Sequence, residues 1–240
     1  MQALLVKPRI IVPKTKQIAL FIQSDLKMKR PNIVINCAMS ADGKIASPTG
    51  KQIRISSEED IKRMYKLRNE CDAVLVGVNT VLSDDPKLTL KDKYVKNPNQ
   101  PLRIVLDSKC RTPENALVVN EKAKTLIVTT KKCDKNFKAN VEILVCPEDE
   151  TGFIDLNYLL ENLEKRGIKK LMVEGGGTII WSFLNKGLVD DFFLYLGPLV
   201  IGGKQTPTLA RGDSEKPIPL EIVKIKELGE GVLFHYRLIK

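Results

Sequence analysis

Short runs of Val, Ile and Leu alternate with segments of helical period along most of the chain, and few folds accommodate that order. Strands are expected at Asn32–Met39, Ala73–Val78, Leu102–Asp107, Thr125–Thr129, Val141–Val145, Lys170–Glu174 and Phe192–Leu196, each short and apolar. Ser56-Ser57-Glu58-Glu59 sets Ser and Glu three apart, a capping box ahead of Ile61, Met64 and Leu67, and predicts a helix over Ser57–Asn69. Further helices are expected at Thr80–Leu82, at Leu156–Arg166, which Gly167 stops, and at Thr178–Asn185. Such alternation specifies an α/β protein with a mostly parallel central sheet and helices on both of its faces. Two later runs, Ile222–Leu228 and Val232–Ile239, meet through Gly229-Glu230-Gly231 and read as an antiparallel hairpin closing the sheet.

With 240 residues, 43% apolar and 28% charged, the chain has the composition of an ordinary folded protein, not of a disordered or collagen-like one. No repeat or low-complexity linker divides it, so residues 1–30 read as a basic N-terminal extension and 31–240 as a single domain. The formal net charge is +10, of which Lys7, Arg9, Lys14, Lys16, Lys27, Lys29 and Arg30 against Asp25 place +6 in the extension. The remaining +4 is too mild for a nucleic-acid partner and suits anionic small molecules. No run reaches the roughly 20 apolar residues of a membrane helix, and polar residues interrupt the apolar Gln17–Gln23 segment, so neither a membrane partner nor a signal peptide is expected. That segment reads as part of a basic extension or as an added edge strand. Cys37, Cys71, Cys110, Cys133 and Cys146 form no C-x-x-C pair, and His235, the single histidine, reads as an ordinary strand residue. No metal site is expected, and scattered single thiols point to a reducing, cytoplasmic compartment.

Three segments could carry chemistry. Leu171-Met172-Val173-Glu174-Gly175-Gly176-Gly177-Thr178 runs an apolar strand through three glycines into a helix. Glycine admits close backbone approach, and free N–H groups at a helix start attract phosphate, so a pyrophosphate cradle and a plain tight turn both remain open. The spacing fails the standard nucleotide fingerprints: Ile180 stands where G-x-G-x-x-G needs its third glycine, and Pro198 where a P-loop ending at Gly203-Lys204 needs its first. A dinucleotide site here belongs to another fold.

In the second segment, residues 77–89, a strand end leads into a polar helical turn. Thr80 and Asp84 share one face of it and suit a ribose or an amide, unless Asp84-Asp85-Pro86 merely ends the turn. The third is Asp107-Ser108-Lys109-Cys110-Arg111, where a hydroxyl and a planar guanidinium fork suit a 2′-phosphate, with a solvated loop as the competing reading. Nucleophilic hydrolysis lacks its G-x-S-x-G elbow, and zinc-dependent base deamination lacks its His and Cys motifs.

Taken in order, NCAMSADGKIA (36–46), RISSEED (54–60), VGVNTVLSDDPKLT (76–89), PLRIVLDSKCR (101–111), EGGGT (174–178), GLVDDFFLYLGP (187–198) and IGGK (201–204) resemble the reductase family of riboflavin biosynthesis. The resemblance implies a dihydrofolate reductase-like fold, a homodimer and NADPH as hydride donor, with NADH the alternative. It implies the stand-alone form of the enzyme, since no deaminase half accompanies these motifs. Its substrate would be a phosphorylated pyrimidine, 2,5-diamino-6-ribosylamino-4(3H)-pyrimidinone 5′-phosphate, reduced at C1′ of the ring-opened imine to the ribitylamino product.

At matching positions the resemblance assigns cofactor contacts to Met39, Arg54, Thr80, Asp84, Ser108, Lys109, Cys110, Arg111, Gly175, Gly176, Gly177 and Thr178. Substrate contacts fall on Gln52, Arg68, Leu88, Lys91 and Glu174. Some relatives have an aromatic residue in place of Arg54, and some have Arg in place of Lys91. Arg68 is expected to hold the substrate phosphate and Glu174 to accept hydrogen bonds from the pyrimidine amino groups. Asp42 is the candidate proton donor or ribose contact, against the reading of a plain Asp-Gly turn, and bound water or the substrate phosphate is the other proton source. A pterin or folate reductase of the same fold and a non-enzymatic anion-binding protein are the rival readings.

Overall fold

The computed structural model describes residues 29–213 and 216–239, so most of the expected basic extension, Gln17–Gln23 included, lies outside the described residues. Arg30 belongs to the fold, because its guanidinium donates to both carboxylate oxygens of Asp190 at 2.6 and 2.9 Å. In chain order the elements are β1 (Asn32–Ser40), α1 (Glu58–Asn69), β2 (Ala73–Gly77), α2 (Val78–Asp84), β3 (Leu102–Leu106), β4 (Thr125–Thr129), β5 (Val141–Val145), α3 (Leu156–Lys165), β6 (Lys170–Gly175), α4 (Gly177–Asn185), β7 (Asp191–Gly197), β8 (Leu220–Leu228) and β9 (Gly231–Leu238).

Two local details differ from the sequence expectation. The short helix after β2 extends over Val78–Asp84, because Val78 leaves the strand as the first helical residue. At the start of α1 the cap is Ser57, whose Oγ accepts from the Asp60 amide at 3.2 Å, while the Ser56 hydroxyl donates to the Asp60 carboxylate at 2.6 Å. The capping interaction is therefore shifted one residue from Ser56 and Glu59, and Asp60 supplies the third helical position.

Among the described residues nine strands form one sheet in the order β5-β4-β3-β2-β6-β1-β7-β9-β8. Pairing is parallel from β5 through β7, and β9 runs antiparallel to both β7 and β8. Alternate side chains bury on opposite faces. Ile33, Ile35, Leu75, Ile104 and Val173 pack with Leu159, Leu163, Ile180 and Phe183 of α3 and α4. Val34, Val74, Val76, Val105 and Met172 pack with Leu67 of α1 and Val81 of α2. Helices thus cover both faces, and burial on both faces explains the continuous apolar strands. The insertion of β6 between β1 and β2 brings the carboxyl ends of β3, β2, β6 and β1 side by side, the place where open α/β sheets hold ligands.

Candidate active site

At the end of β6 the register with β2 slips. Leu75 faces Val173 but Val76 faces Gly175, which leaves Glu174 as the extra residue of a bulge. A bulge frees a side chain from the alternation of the strand, and here that side chain is a carboxylate at the rim of the sheet. Gly175 and Gly176 then take φ of 151° and 81°, values that a side chain rarely permits. At Gly177 the constraint is space, since a Cβ there would stand 2.4 Å from the Thr208 carbonyl oxygen. The Arg211 amide donates to the Gly177 carbonyl at 3.0 Å, so residues 208–211 lie across the glycine loop. The first amides of α4 have no intrahelical acceptor and carry the positive end of its dipole.

The turn after β2 meets this loop. A Cβ on Gly176 would lie 3.6 Å from Thr80 Oγ1, so two motifs far apart in sequence share one crevice. Asp84, one helical turn on, accepts from the Gln52 amide at 3.1 Å and ties the loop after β1 to α2. From the loop after β3, Arg111 donates to Asn79 Oδ1 at 2.8 Å, which aims its guanidinium toward the same turn. Lys109 is exposed, Ser108 is half-buried and its carbonyl accepts from the Thr130 hydroxyl at 3.1 Å. Thr178 is exposed in the first turn of α4, and Met39 closes the carboxyl end of β1 against Leu196 of β7.

Of the expected substrate residues, Arg68, Leu88, Lys91 and Glu174 form a second group beside the glycines, while Gln52 stays with Asp84. Arg68 donates through Nε and Nη2 to the two oxygens of Glu174 at 2.8 and 2.6 Å, and through Nη1 to the Thr89 carbonyl at 3.1 Å. Both partners are largely shielded, with side-chain exposures of 7% and 13%. Burial opposes the Arg68 charge, but the charge and hydrogen bonds of Glu174 outweigh it and hold the arginine pKa above its ordinary value. Arg68 is the residue expected to grip the substrate phosphate, and in this structure its fork is turned to Glu174. Leu88 is buried with φ of 51°, and it precedes the carbonyl that Arg68 engages.

Lys91 stands 5.7 Å from the ring centre of Tyr65, which Arg68 also overlies at 5.2 Å. Tyr65 stacks on Tyr94 at 4.4 Å, and Lys93 lies 4.3 Å from the Tyr94 ring. The Tyr94 hydroxyl donates to Glu58, which also pairs with Arg54 at 3.4 Å, so exposed Arg54 joins the edge of this wall. The tyrosines, Asn79 and Lys93 escaped the sequence reading. Tyr65 sits one helical turn before Arg68, the only local signal that it shares the arginine's face.

Two further sequence readings meet the structure here. Asp42 accepts from the Ser40 hydroxyl at 2.5 Å and from the Ile201 and Gly202 amides at 3.0 and 2.7 Å. Those three donors hold its pKa down at about 2, so it is ionised and anchors the loop after β7, in keeping with the Asp-Gly turn reading. The cysteines are not all scattered single thiols, because Cys110 and Cys133 come together as a disulfide pair. Among the described residues no group of three or more His, Cys, Asp and Glu side chains gathers to hold a metal, and no helix is long and apolar enough to cross a membrane.

A glycine loop, a threonine-bearing turn and a shielded acid gather at the carboxyl ends of a parallel sheet, and the architecture is a dihydrofolate reductase-like α/β fold. The family model described as the RibD C-terminal domain matches residues 31–234, and the chain belongs to that family. It is 42% identical over 214 residues to the 2,5-diamino-6-ribosylamino-4(3H)-pyrimidinone 5′-phosphate reductase of Archaeoglobus fulgidus, spanning 84% of this chain and 95% of the relative. The reductase of the same name from Methanothermobacter thermautotrophicus is 39% identical across 86% of this chain and 98% of its own. Among solved structures, a deaminase/reductase from Thermotoga maritima superposes with a TM-score of 0.76 at 26% identity, over 94% of this chain and 62% of that one.

Proposed function

We propose that the chain reduces the ribosyl group of 2,5-diamino-6-ribosylamino-4(3H)-pyrimidinone 5′-phosphate, a step of riboflavin biosynthesis, with NADPH as hydride donor. The observation that carries this reading is the approach of Gly176 to Thr80, which sets the glycine loop and the turn after β2 side by side. The names of the archaeal relatives supply the substrate.

The residues present fit the cofactor. Gly175 and Gly176 carry no Cβ to obstruct a pyrophosphate, Gly177 makes room for the 208–211 segment beside them, and the first turn of α4, with Thr178, supplies amide donors. Thr80 and Asp84 offer a hydroxyl and a carboxylate for ribose or amide, with Met39 and Arg54 flanking. Arg111, steadied by Asn79, offers with Ser108 and Lys109 the donors that favour a 2′-phosphate and hence NADPH over NADH. Bound there, the dihydronicotinamide supplies the hydride.

Around the substrate, each Glu174 oxygen accepts one bond from Arg68 and keeps a second acceptor site for the exocyclic amino groups of the pyrimidine. Arg68 thus acts as a positioning residue for Glu174. The phosphate handle passes to Lys91 on the tyrosine wall, and Gln52 and Leu88 line the remaining space. With Asp42 ionised, the proton that completes the reduction comes from water or from the substrate phosphate. Holding the two reactants in contact distance contributes more than acid–base chemistry. A cytoplasmic homodimer belongs to the same reading, and the exposed Ile222 and Ile225, paired with Tyr236 and Phe234 on the edge hairpin, support it.

The test follows NADPH absorbance in parallel assays with the phosphorylated ribosylaminopyrimidine and with dihydrofolate. Oxidation with the first is the expected outcome. Turnover of dihydrofolate alone overturns the assignment in favour of a pterin reductase of the same fold.

A further inference from the structure

β3 and β4 pair in parallel with Leu106 opposite Val128, so the loops that leave their carboxyl ends run side by side. Cys110 lies on the first of these loops and Cys133 on the second, with Cα atoms 5.7 Å apart, inside the span a disulfide bridges. Both are half-buried and reachable from solvent. The remaining thiols are different in kind: burial pushes Cys71 up to about 12 and Cys146 up to about 11, and it raises Cys37 as well. Thiols so displaced are inert at neutral pH. Lys109, Arg111, Lys131 and Lys132, with Asp134 as the acidic neighbour, surround the pair in sequence, a basic setting in which exposed thiols exchange readily.

The position of the pair matters more than its chemistry. Cys110 holds a φ of 52°, left-handed backbone that non-glycine residues seldom adopt, and Arg111 follows it directly. Arg111 is the guanidinium aimed by Asn79 at the proposed 2′-phosphate site. A covalent link at Cys110 therefore acts on the backbone that orients the cofactor's phosphate ligand.

We propose that Cys110 and Cys133 form a reversible redox site that tunes dinucleotide affinity, the disulfide holding the 108–111 loop in its binding conformation and the dithiol releasing it. The inference rests on the cofactor reading above. In the oxidising direction, the thiolate of one cysteine attacks a small-molecule disulfide such as oxidised glutathione and releases one molecule of thiol. The other cysteine then breaks the mixed disulfide and releases a second. Two cysteine thiols lose two electrons and two protons, and the small disulfide leaves as two thiols. The Thr130 hydroxyl also donates to the Ser108 carbonyl, so the loops still touch when the bond is open. Reduction relaxes Cys110 and Arg111 without separating the loops, and the effect on affinity is modest, roughly three- to tenfold.

The experiment equilibrates the purified full chain in reduced and oxidised glutathione buffers, then measures free thiols, peptide linkage and NADPH affinity by fluorescence titration. Oxidation should lower the thiol count read after denaturation from five to three, link the Cys110 and Cys133 peptides, and tighten NADPH binding by that factor. Cys133→Ser should keep the reduced-state affinity in every buffer. Should that variant fail to fold, the redox titration of the unmodified chain carries the same test. Linkage of any other pair, or a Cys110–Cys133 link that leaves affinity unchanged or weakens it, overturns the proposal. Absence of NADPH binding in both states overturns the cofactor reading, and the coupling with it, while the peptide map still reports separately on the thiol pair.

Discussion

Two buried arginines separate the working end of this sheet from its anchored end. Arg68 meets an acid, Glu174, displaced by a bulge at the carboxyl end of β6. Arg103, near the amino end of β3, meets only neutral acceptors among the described residues. Its guanidinium donates to the carbonyls of Lys87, Leu117, Asn120 and Ala123 and to Asn120 Oδ1 at 2.5–3.4 Å. Burial pulls the Arg103 pKa down to about 10, with no counter-charge to restore it. At Arg68 burial acts in the same sense and Glu174 outweighs it. A carbonyl cage satisfies the backbone of two connecting segments and leaves no acceptor for a ligand, whereas an ion pair at the rim keeps acceptor sites open to the crevice.

The largest effect is expected from Arg103→Met, which strands that set of carbonyls in a dry junction. Urea denaturation should record a loss of about 4 kcal/mol. A loss under about 1 kcal/mol would remove the staple from the comparison. Arg68→Ala leaves Glu174 shielded and unpaired, and should cost about 3 kcal/mol of stability. In steady-state assays of the proposed reaction its kcat/KM should fall about a hundredfold, the scale of a lost transition-state contact. Arg68→Lys keeps the charge without the fork, and should recover stability more fully than activity. Equal recovery of both would reduce Arg68 to the purely structural class of Arg103.

Smaller effects sharpen the working end. Gly177→Ala puts a methyl group 2.4 Å from the Thr208 carbonyl and must displace residues 208–211. NADPH affinity measured by fluorescence should drop about tenfold, with a stability change of no more than about 2 kcal/mol. Unchanged affinity would mean that this strap does not border the cofactor. Asp42→Asn should be the mildest. The Asp42 pKa is lowered, so its carboxylate contributes stability above its unfolded value, near 3.9, and that contribution fades as pH falls toward about 2. Melting curves of variant and parent should therefore differ at pH 7 and converge between about pH 4 and pH 2. A gap that persists at pH 2 would assign the loop anchor to something other than the charge.

The strand and helix order was legible in the chain because every element from Asn32 to Leu238 carries its own period and its own stops. The three candidate segments also stood out in the chain, since glycine runs, Thr80 and Arg111 follow strand ends in the sequence itself. Other features escaped because they depend on distant partners. Asp42 binds amides 159 and 160 residues away, which turns a candidate acid into an anchor. Arg68 reaches an acid 106 residues on, a pairing that no local signal announces. Tyr65 and Tyr94 stack across a loop with no shared periodicity, and Cys110 meets Cys133 only because β3 and β4 are neighbours.

The sequence alone determined what is local: apolar period, helix caps, a glycine run too bare for any backbone but an unusual one, and a charge that suits small anions. Those properties are set by each residue's bonds and nearest neighbours along the chain. The tertiary structure decided which ionised groups answer one another, and it did so by inserting β6 between β1 and β2. Electrostatic and hydrogen-bonding roles depend on distances of a few ångströms across strand ends, and strand order, which no local signal encodes, sets those distances.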